Sequence, residues 1–174
     1  MPDRKSLIRS FYDEHRGPAI AHGHMMSPWG PRRIENNRTQ FHLGIDVGAP
    51  RGTAIRSPIA GVVVATYPDG TVEGYGNVVS VRYGNDGVLF AHMDHMSVFD
   101  GQHVSPGQML GVVGTTNSET GGFRTSPPHS HIEVLTPAPN DVAHALAHFS
   151  AGSHVYPTRM DPMLWAQQNN VTFF

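Results

Sequence analysis

The segment 127–134, Pro-Pro-His-Ser-His-Ile-Glu-Val, holds the side chains in this sequence that are best suited to chemistry. Its β-branched residues predict a strand, on which His129, His131 and Glu133 share one face at a spacing of about 7 Å. The apolar residues between them mark the opposite, buried face. One imidazole could bind a metal while the other contacts a substrate. A polar strand face in a chain with 12 His explains the pattern equally well at this point.

His42 and Asp46 stand four residues apart in a segment whose glycines and β-branched residues disfavour a helix. On a straight strand the two would lie about 13 Å apart, too far to share an ion. A common metal site therefore requires a bent or bulged strand, which Gly44 permits. A turn histidine and a surface aspartate are the alternative.

His92 lies on a further predicted strand, whose alternation places Leu89 and Ala91 in the core and directs Phe90 and His92 outward. One carboxylate and several histidines match a catalytic zinc, which takes three N or O ligands and keeps one position open. The sequence contains no His-Glu-x-x-His motif. The pair His144 and His148 has the helical spacing without that Glu, and we interpret it as the solvent face of a helix.

Composition indicates one ordinary domain of 174 residues, 39% hydrophobic and 15% charged. The net charge of -2 argues against nucleic-acid binding. No apolar run predicts a membrane span, and no signal peptide is visible at the N-terminus. The absence of Cys excludes disulfides and thiolate catalysis. The single Lys5 lies outside the β region, which excludes a lipoyl- or biotinyl-type carrier.

Short β-branched runs separated by turn motifs predict antiparallel strands from residue 41 to 114. Helices are predicted for residues 3–15, for 141–150 and after Asp161-Pro162. Residues 19–26 and 115–128 are predicted to be loops, with His22 and His24 facing solvent.

Six motifs occur in order over residues 27–135 and resemble the lysostaphin/LytM-type zinc metallopeptidases, a family of peptidoglycan endopeptidases. They are Ser27-Pro28-Trp29-Gly30, the run from Phe41 to Thr53, Gly76-Asn77, Phe90-Ala91-His92-Met93, the run from Gly101 to Gln108, and His129-Ser130-His131-Ile132-Glu133. His-x-His alone would be weak, whereas the ordered set is specific.

The resemblance implies a mainly β protein: a compact antiparallel two-sheet fold of the LytM/lysostaphin type, a duplicated hybrid motif, with short terminal helices. We expect a single domain, in which residues 1–26 are an N-terminal extension and 27–136 the catalytic β core. Residues 137–174 are expected to form a helical segment packed on that core.

The resemblance also implies one Zn²⁺ per chain, with His42, Asp46 and His131 as its ligands. His92 and His129 are implied as catalytic histidines, which handle the proton and the oxyanion while a zinc-bound water attacks the scissile carbonyl. Asn77 and Glu133 are weaker candidates for supporting the ligands or lining the substrate groove. Glu133 could either hold an imidazole by a hydrogen bond or pair with an Arg.

The implied substrate is a peptide in the cross-bridges or stem peptides of bacterial peptidoglycan. The protein would then act outside the cytoplasm, in the periplasm, the cell wall or a virion, and we expect a monomer. The loop 115–128 is longer than the family pattern, so the bond cleaved stays open. The alternative is a catalytically inactive LytM-like domain that binds the wall or activates other hydrolases. The presence of all five metal and catalytic positions argues against it.

Overall fold

The computed structural model describes residues 17–34, 37–117, 127–147 and 158–174. The helix predicted for residues 3–15 lies outside these ranges. So do most of the predicted loop 115–128 and the end of the helix predicted for 141–150.

Antiparallel strands are the main secondary structure of the described chain, and its two short helices lie before and after the last strand. The strands are β1 (His24–Ser27), β2 (Gly30–Arg33), β3 (Thr39–His42), β4 (Ile45–Gly48), β5 (Ala54–Arg56), β6 (Gly61–Tyr67), β7 (Asn77–Tyr83), β8 (Asp86–Met96), β9 (His103–Val104), β10 (Met109–Val113), β11 (His129–Thr136) and β12 (Thr158–Met160). The helices are α1 (Val142–Ala147) and α2 (Pro162–Asn169). The mainly β, antiparallel fold predicted from the sequence is confirmed.

The main sheet brings together the three strands that carry Asp46, His92, His129 and His131, whereas His42 ends a strand of a separate hairpin. Its order is β1-β4-β11-β8-β7-β6-β9, and β12 pairs with β11 beyond the end of β4. β10 joins β5 to β8, and β2 and β3 form a separate hairpin. β4, β11 and β8 are therefore direct neighbours, although they are far apart in sequence.

Strand β8 is covered on both faces, which corrects one prediction. Phe90 is fully buried and its ring lies 6.4 Å from that of Phe173, while Leu89 and Ala91 pack in a second cluster on the other side. The prediction that Phe90 faces outward is wrong. Simple alternation assumes one wet face, whereas a central strand between two cores is apolar on both.

The N-terminal part of the described chain packs into the fold rather than forming a loop throughout. Ala19 and Ile20 are completely buried, and β1 pairs with β4 along its edge. His22 and His24 are exposed, in agreement with the prediction.

Helix α2 begins where Asp161-Pro162 predicts it. The Asp161 side chain caps the helix by accepting a hydrogen bond from the Met163 backbone N–H at 2.9 Å. Trp165 is buried and donates its indole N–H to the Asp86 carboxylate at 2.9 Å. This hydrogen bond links the helix to β8. Within the described ranges, neither helix has the length and apolar character needed to cross a membrane.

Candidate metal and active site

A break between two strands brings His42 and Asp46 together. β3 ends at His42 and β4 begins at Ile45, with a bend at Leu43-Gly44. His42 Nε2 consequently lies 3.2 Å from Asp46 Oδ1, in place of the separation expected on a straight strand.

Gly44 allows this bend to lie directly against β11. A Cβ atom at this position would meet the Ile132 carbonyl oxygen at 2.3 Å and His131 Cε1 at 2.8 Å. Any side chain would therefore displace the strand that carries His131. The glycine is needed here because of this close approach of two strands.

The register of β4 and β11 places His131 beside Asp46 and His129 beside Gly48. Directly opposed residues of neighbouring strands share a face. His131 Nδ1 lies 2.9 Å from Asp46 Oδ1 and 3.1 Å from His42 Nε2. One ligand atom from each of His42, Asp46 and His131 thus converges on a single point.

Hydrogen bonds to the outer ring nitrogens orient both histidines of this group. His42 Nδ1 donates to the Pro28 carbonyl at 2.9 Å, and His131 Nε2 donates to Glu133 Oε1 at 3.0 Å. A neutral imidazole has one N–H, so the inner nitrogens present lone pairs to each other and to the Asp46 carboxylate. Three electron-pair donors this close repel one another unless a cation lies between them.

The pKa shifts in this group have the same origin. Burial alone would raise the pKa of Asp46, but hydrogen bonds and charge from His131 and His42 hold it well below its usual range. Burial alone would lower the pKa of His131, yet hydrogen bonds to Asp46 and Glu133 raise it to about 9. The carboxylates of Asp46 and Glu133 on either side of His131 therefore favour positive charge at this point.

Glu133 is buried beneath His131 and has three partners. Its Oε1 atom accepts hydrogen bonds from His131 and, at 2.7 Å, from the Tyr75 hydroxyl. Its Oε2 atom pairs with Arg159 Nε at 2.8 Å. Burial would raise the pKa of Glu133, but His131 and Arg159 outweigh it and lower the pKa. The imidazole contact and the Arg contact that the sequence left as alternatives are both present.

His92 sits at an irregularity where β8 pairs with β7. Its φ of 59° is in the left-handed region, which histidine tolerates better than most residues. Its backbone N–H donates to the Tyr75 carbonyl at 2.9 Å, and its ring Nδ1 donates to the Thr116 carbonyl at 2.8 Å. Burial, aided by the charges of His131 and His129, lowers the pKa of His92 to about 3. The ring is therefore neutral at pH 7.

The His129 ring lies directly beside the His92 ring. Its Nδ1 atom donates to the Pro127 carbonyl at 2.9 Å, and its Nε2 atom lies 3.9 Å from Asp46 Oδ1. The ring centroids of His92 and His129 are 4.9 Å apart. Both rings use Nδ1 for a backbone contact, which leaves Nε2 available for a substrate.

A cavity of about 450 Å³ opens over this arrangement. Its lining includes the three convergent residues, both further histidines and Glu133, together with Arg32, Gln40, Phe41, Leu43, Gly74, Tyr75 and Asn117. Asn77 is not part of this lining among the described residues. Its side chain instead donates to the Met93 carbonyl at 2.7 Å and accepts from the Asp69 N–H at 2.8 Å, next to the irregularity at His92.

Three residues of the site carried no role in the sequence analysis. Tyr75 stands in a glycine-rich turn, Arg32 in a polar stretch, and Arg159 at the far end of the chain. Arg32 lies two residues after Gly30, the last residue of the first motif, and this proximity is the one local signal for its role. Tyr75 and Arg159 are far from Glu133 in sequence, and only the fold brings them into contact with it.

Comparison with known proteins shows that the sequence and the fold of this chain resemble those of peptidases. Residues 40–144 match peptidase family M23. DD-carboxypeptidase/endopeptidase Mpg of Neisseria meningitidis is 37% identical over 118 residues, which are 66% of this chain and 25% of that protein. A zinc-containing peptidase from Vibrio cholerae has a similar structure, with a TM-score of 0.59 and 26% identity over 70% of this chain and 36% of the other.

The lysostaphin catalytic domain from Staphylococcus simulans shares the fold. Its TM-score is 0.62 at 19% identity, over 83% of this chain and 92% of that domain. By contrast, this chain spans about a quarter of the length of the Neisseria relative.

Proposed function

Because this chain belongs to peptidase family M23, we propose that it is a zinc metalloendopeptidase that cleaves peptide bonds in bacterial peptidoglycan. One observation carries the proposal: three atoms that could bind a metal converge on one point, and they and two further histidines line one open cavity. By analogy with the Neisseria relative named as a DD-carboxypeptidase/endopeptidase, the bond joins two residues of D configuration. Such a bond occurs where stem peptides end or are cross-linked.

His42 Nε2, Asp46 Oδ1 and His131 Nδ1 would hold one zinc ion. Four-coordinate zinc binds N and O ligands at 2.0–2.1 Å, which separates neighbouring ligand atoms by about 3.3 Å. The three separations of 3.2, 2.9 and 3.1 Å agree with that arrangement. When bound, zinc would polarise the scissile carbonyl and make water easier to deprotonate at neutral pH.

His92 and His129 would carry the proton. Their Nδ1–H groups are engaged by the Thr116 and Pro127 carbonyls, so Nε2 is the ring atom that offers a lone pair as a general base. A ring that has accepted a proton gains an Nε2–H. It can then stabilise the oxyanion and return the proton to the leaving nitrogen. No Glu is required as a base.

Residues 27–136 would form the catalytic core, and 137–174 would complete it through Arg159 and the packing of α2. The substrate places the site of action outside the cytoplasm. The rival function, an inactive domain that activates other hydrolases, has no support in the site, because His and Asp occupy every ligand position.

Digestion of purified peptidoglycan tests the proposal. Mass analysis should find new peptide ends after incubation with the wild-type protein and none with His42→Ala. The masses would also identify the bond. Equal digestion by both proteins would exclude His42 as a metal ligand in an active enzyme.

Glu133 would fix the orientation of His131, and its replacement should weaken metal binding. We expect Glu133→Gln to lower zinc affinity by about 10- to 100-fold, since the ring loses its carboxylate partner and Arg159 loses its counter-charge. Competition with a chromophoric chelator measures this. Glu73→Gln, at an exposed turn residue, is the matched control. Unchanged zinc affinity in Glu133→Gln would show that the contact is dispensable.

A further inference from the structure

Arg32 is the only Lys or Arg that lines the cavity in the described part of the chain. Its guanidinium is held by three residues. Nε donates to Gln40 Oε1 at 3.1 Å, and Nη1 donates to Ser27 Oγ at 3.1 Å and to Asp46 Oδ2 at 3.2 Å. The group is thus fixed in place by residues of β1, β3 and β4.

The guanidinium retains binding capacity. Nη2 carries two N–H donors for which the described residues supply no acceptor. The side chain is 35% exposed. Guanidinium groups bind carboxylates through two parallel N–H donors, and these are among the stronger hydrogen bonds in proteins.

The position of Arg32 fits a carboxylate that lies close to the reacting bond. Arg32 contacts Oδ2 of Asp46, while Oδ1 of the same carboxylate faces His42 and His131. Only the width of one carboxyl group therefore separates the guanidinium from the metal-binding point. In a peptide, the carboxylate on the residue after the scissile bond is separated from the scissile carbonyl by only the amide nitrogen and one α-carbon.

The charge of the site favours the same ligand. Two carboxylates, Asp46 and Glu133, are matched by two guanidiniums, Arg32 and Arg159. The charge of a bound dication is therefore not compensated by the protein. An anionic group on the substrate would supply the missing negative charge.

We propose that Arg32 forms a carboxylate subsite, which selects peptides whose residue after the scissile bond carries a free α-carboxylate. This inference rests on the proposed peptidase function and specifies its substrate class. The same subsite would serve both a terminal D-Ala and a cross-linked residue, because each keeps a free carboxylate next to the bond.

The test compares an N-acylated peptide ending in D-Ala-D-Ala with its C-terminal amide. The wild-type protein should cleave the acid with a kcat/KM about 10- to 100-fold above that of the amide. Arg32→Gln should remove this preference, and Arg32→Lys should retain part of it. Arg33→Gln, at the exposed neighbouring residue on β2, should retain all of it.

A structural role for Arg32 predicts a different result. If Arg32 served only to orient Asp46, Arg32→Gln would slow cleavage of both peptides equally and the preference would persist. That outcome would overturn the subsite. Equal cleavage of acid and amide by the wild type would overturn it too, and would leave the peptidase function intact.

Binding supplies a readout that needs no turnover. In the zinc-loaded His129→Ala background, calorimetry should find the acid bound about 10-fold more tightly than the amide. Adding Arg32→Gln should abolish the difference. Equal affinities in the background protein would exclude the subsite, and this binding result does not depend on cleavage. Failure of the protein to cleave either peptide or peptidoglycan would count against the proposed function alone. Zinc content and thermal melting verify that each variant is folded.

Discussion

Asp46→Ala is expected to lose bound zinc and to reduce peptidoglycan hydrolysis by at least about 1000-fold. Asp46 contributes the only carboxylate of the ligand group and contacts both histidines through one oxygen. Removing it leaves two imidazoles as the only ligands, and it also removes the charge that stabilises a dication. Several kcal/mol of transition-state stabilisation depend on the metal, which corresponds to three or more powers of ten in rate.

Metal analysis and turnover of the same preparations measure the effect. Zinc affinity should fall by more than about 100-fold, beyond the cost of changing a residue that only supports a ligand. Asp100→Ala is the control, because Asp100 is exposed and bonded to Thr66, and it should behave as wild type. Wild-type zinc affinity in Asp46→Ala would refute the ligand assignment.

His92→Asn and His129→Ala are each expected to lower kcat by about 100- to 10,000-fold while zinc stays bound, the range for loss of a general acid or base. Asn is chosen for position 92 because it tolerates the left-handed φ of 59°. If the two rings handle one proton together, the double variant should lose little more than either single one.

Zinc content separates these two residues from the ligands. Each variant should bind zinc at the wild-type level, in contrast to Asp46→Ala. His95→Ala is the control, since His95 is exposed and lies on the same strand as His92. Loss of zinc from either variant would show that the residue is a metal ligand. Full activity would show that the residue takes no part in catalysis.

The sequence predicted the family and the strands well because both depend on local patterns. Ordered motifs led to the lysostaphin/LytM-type family, and membership in peptidase family M23 confirms that resemblance. Short β-branched runs predict antiparallel strands from residue 41 to 114, and the seven strands from β4 to β10 lie within that range. The roles of the individual site residues remain predictions.

Other features depend on contacts that no local pattern encodes. Arg159 reaches Glu133 because β12 returns to pair with β11, with Leu135 opposite Arg159, after an excursion of some 20 residues. The outward direction assigned to Phe90 failed because a second core covers β8. Which nitrogen of His131 faces the metal point follows only from Glu133 taking the other one.

Because the chain returns to the sheet at β12, the geometry of the site does not depend on the length of the segment that precedes β12. Thr136 pairs with Thr158, so the connecting chain leaves and re-enters the sheet at the same place. Residues up to Ala145 are anchored, because the Ala143 N–H donates to the Tyr67 hydroxyl and the Ala145 carbonyl accepts from Arg159. Both anchors belong to the described part of the chain, so the pairing that holds Arg159 against Glu133 does not depend on the number of residues between them.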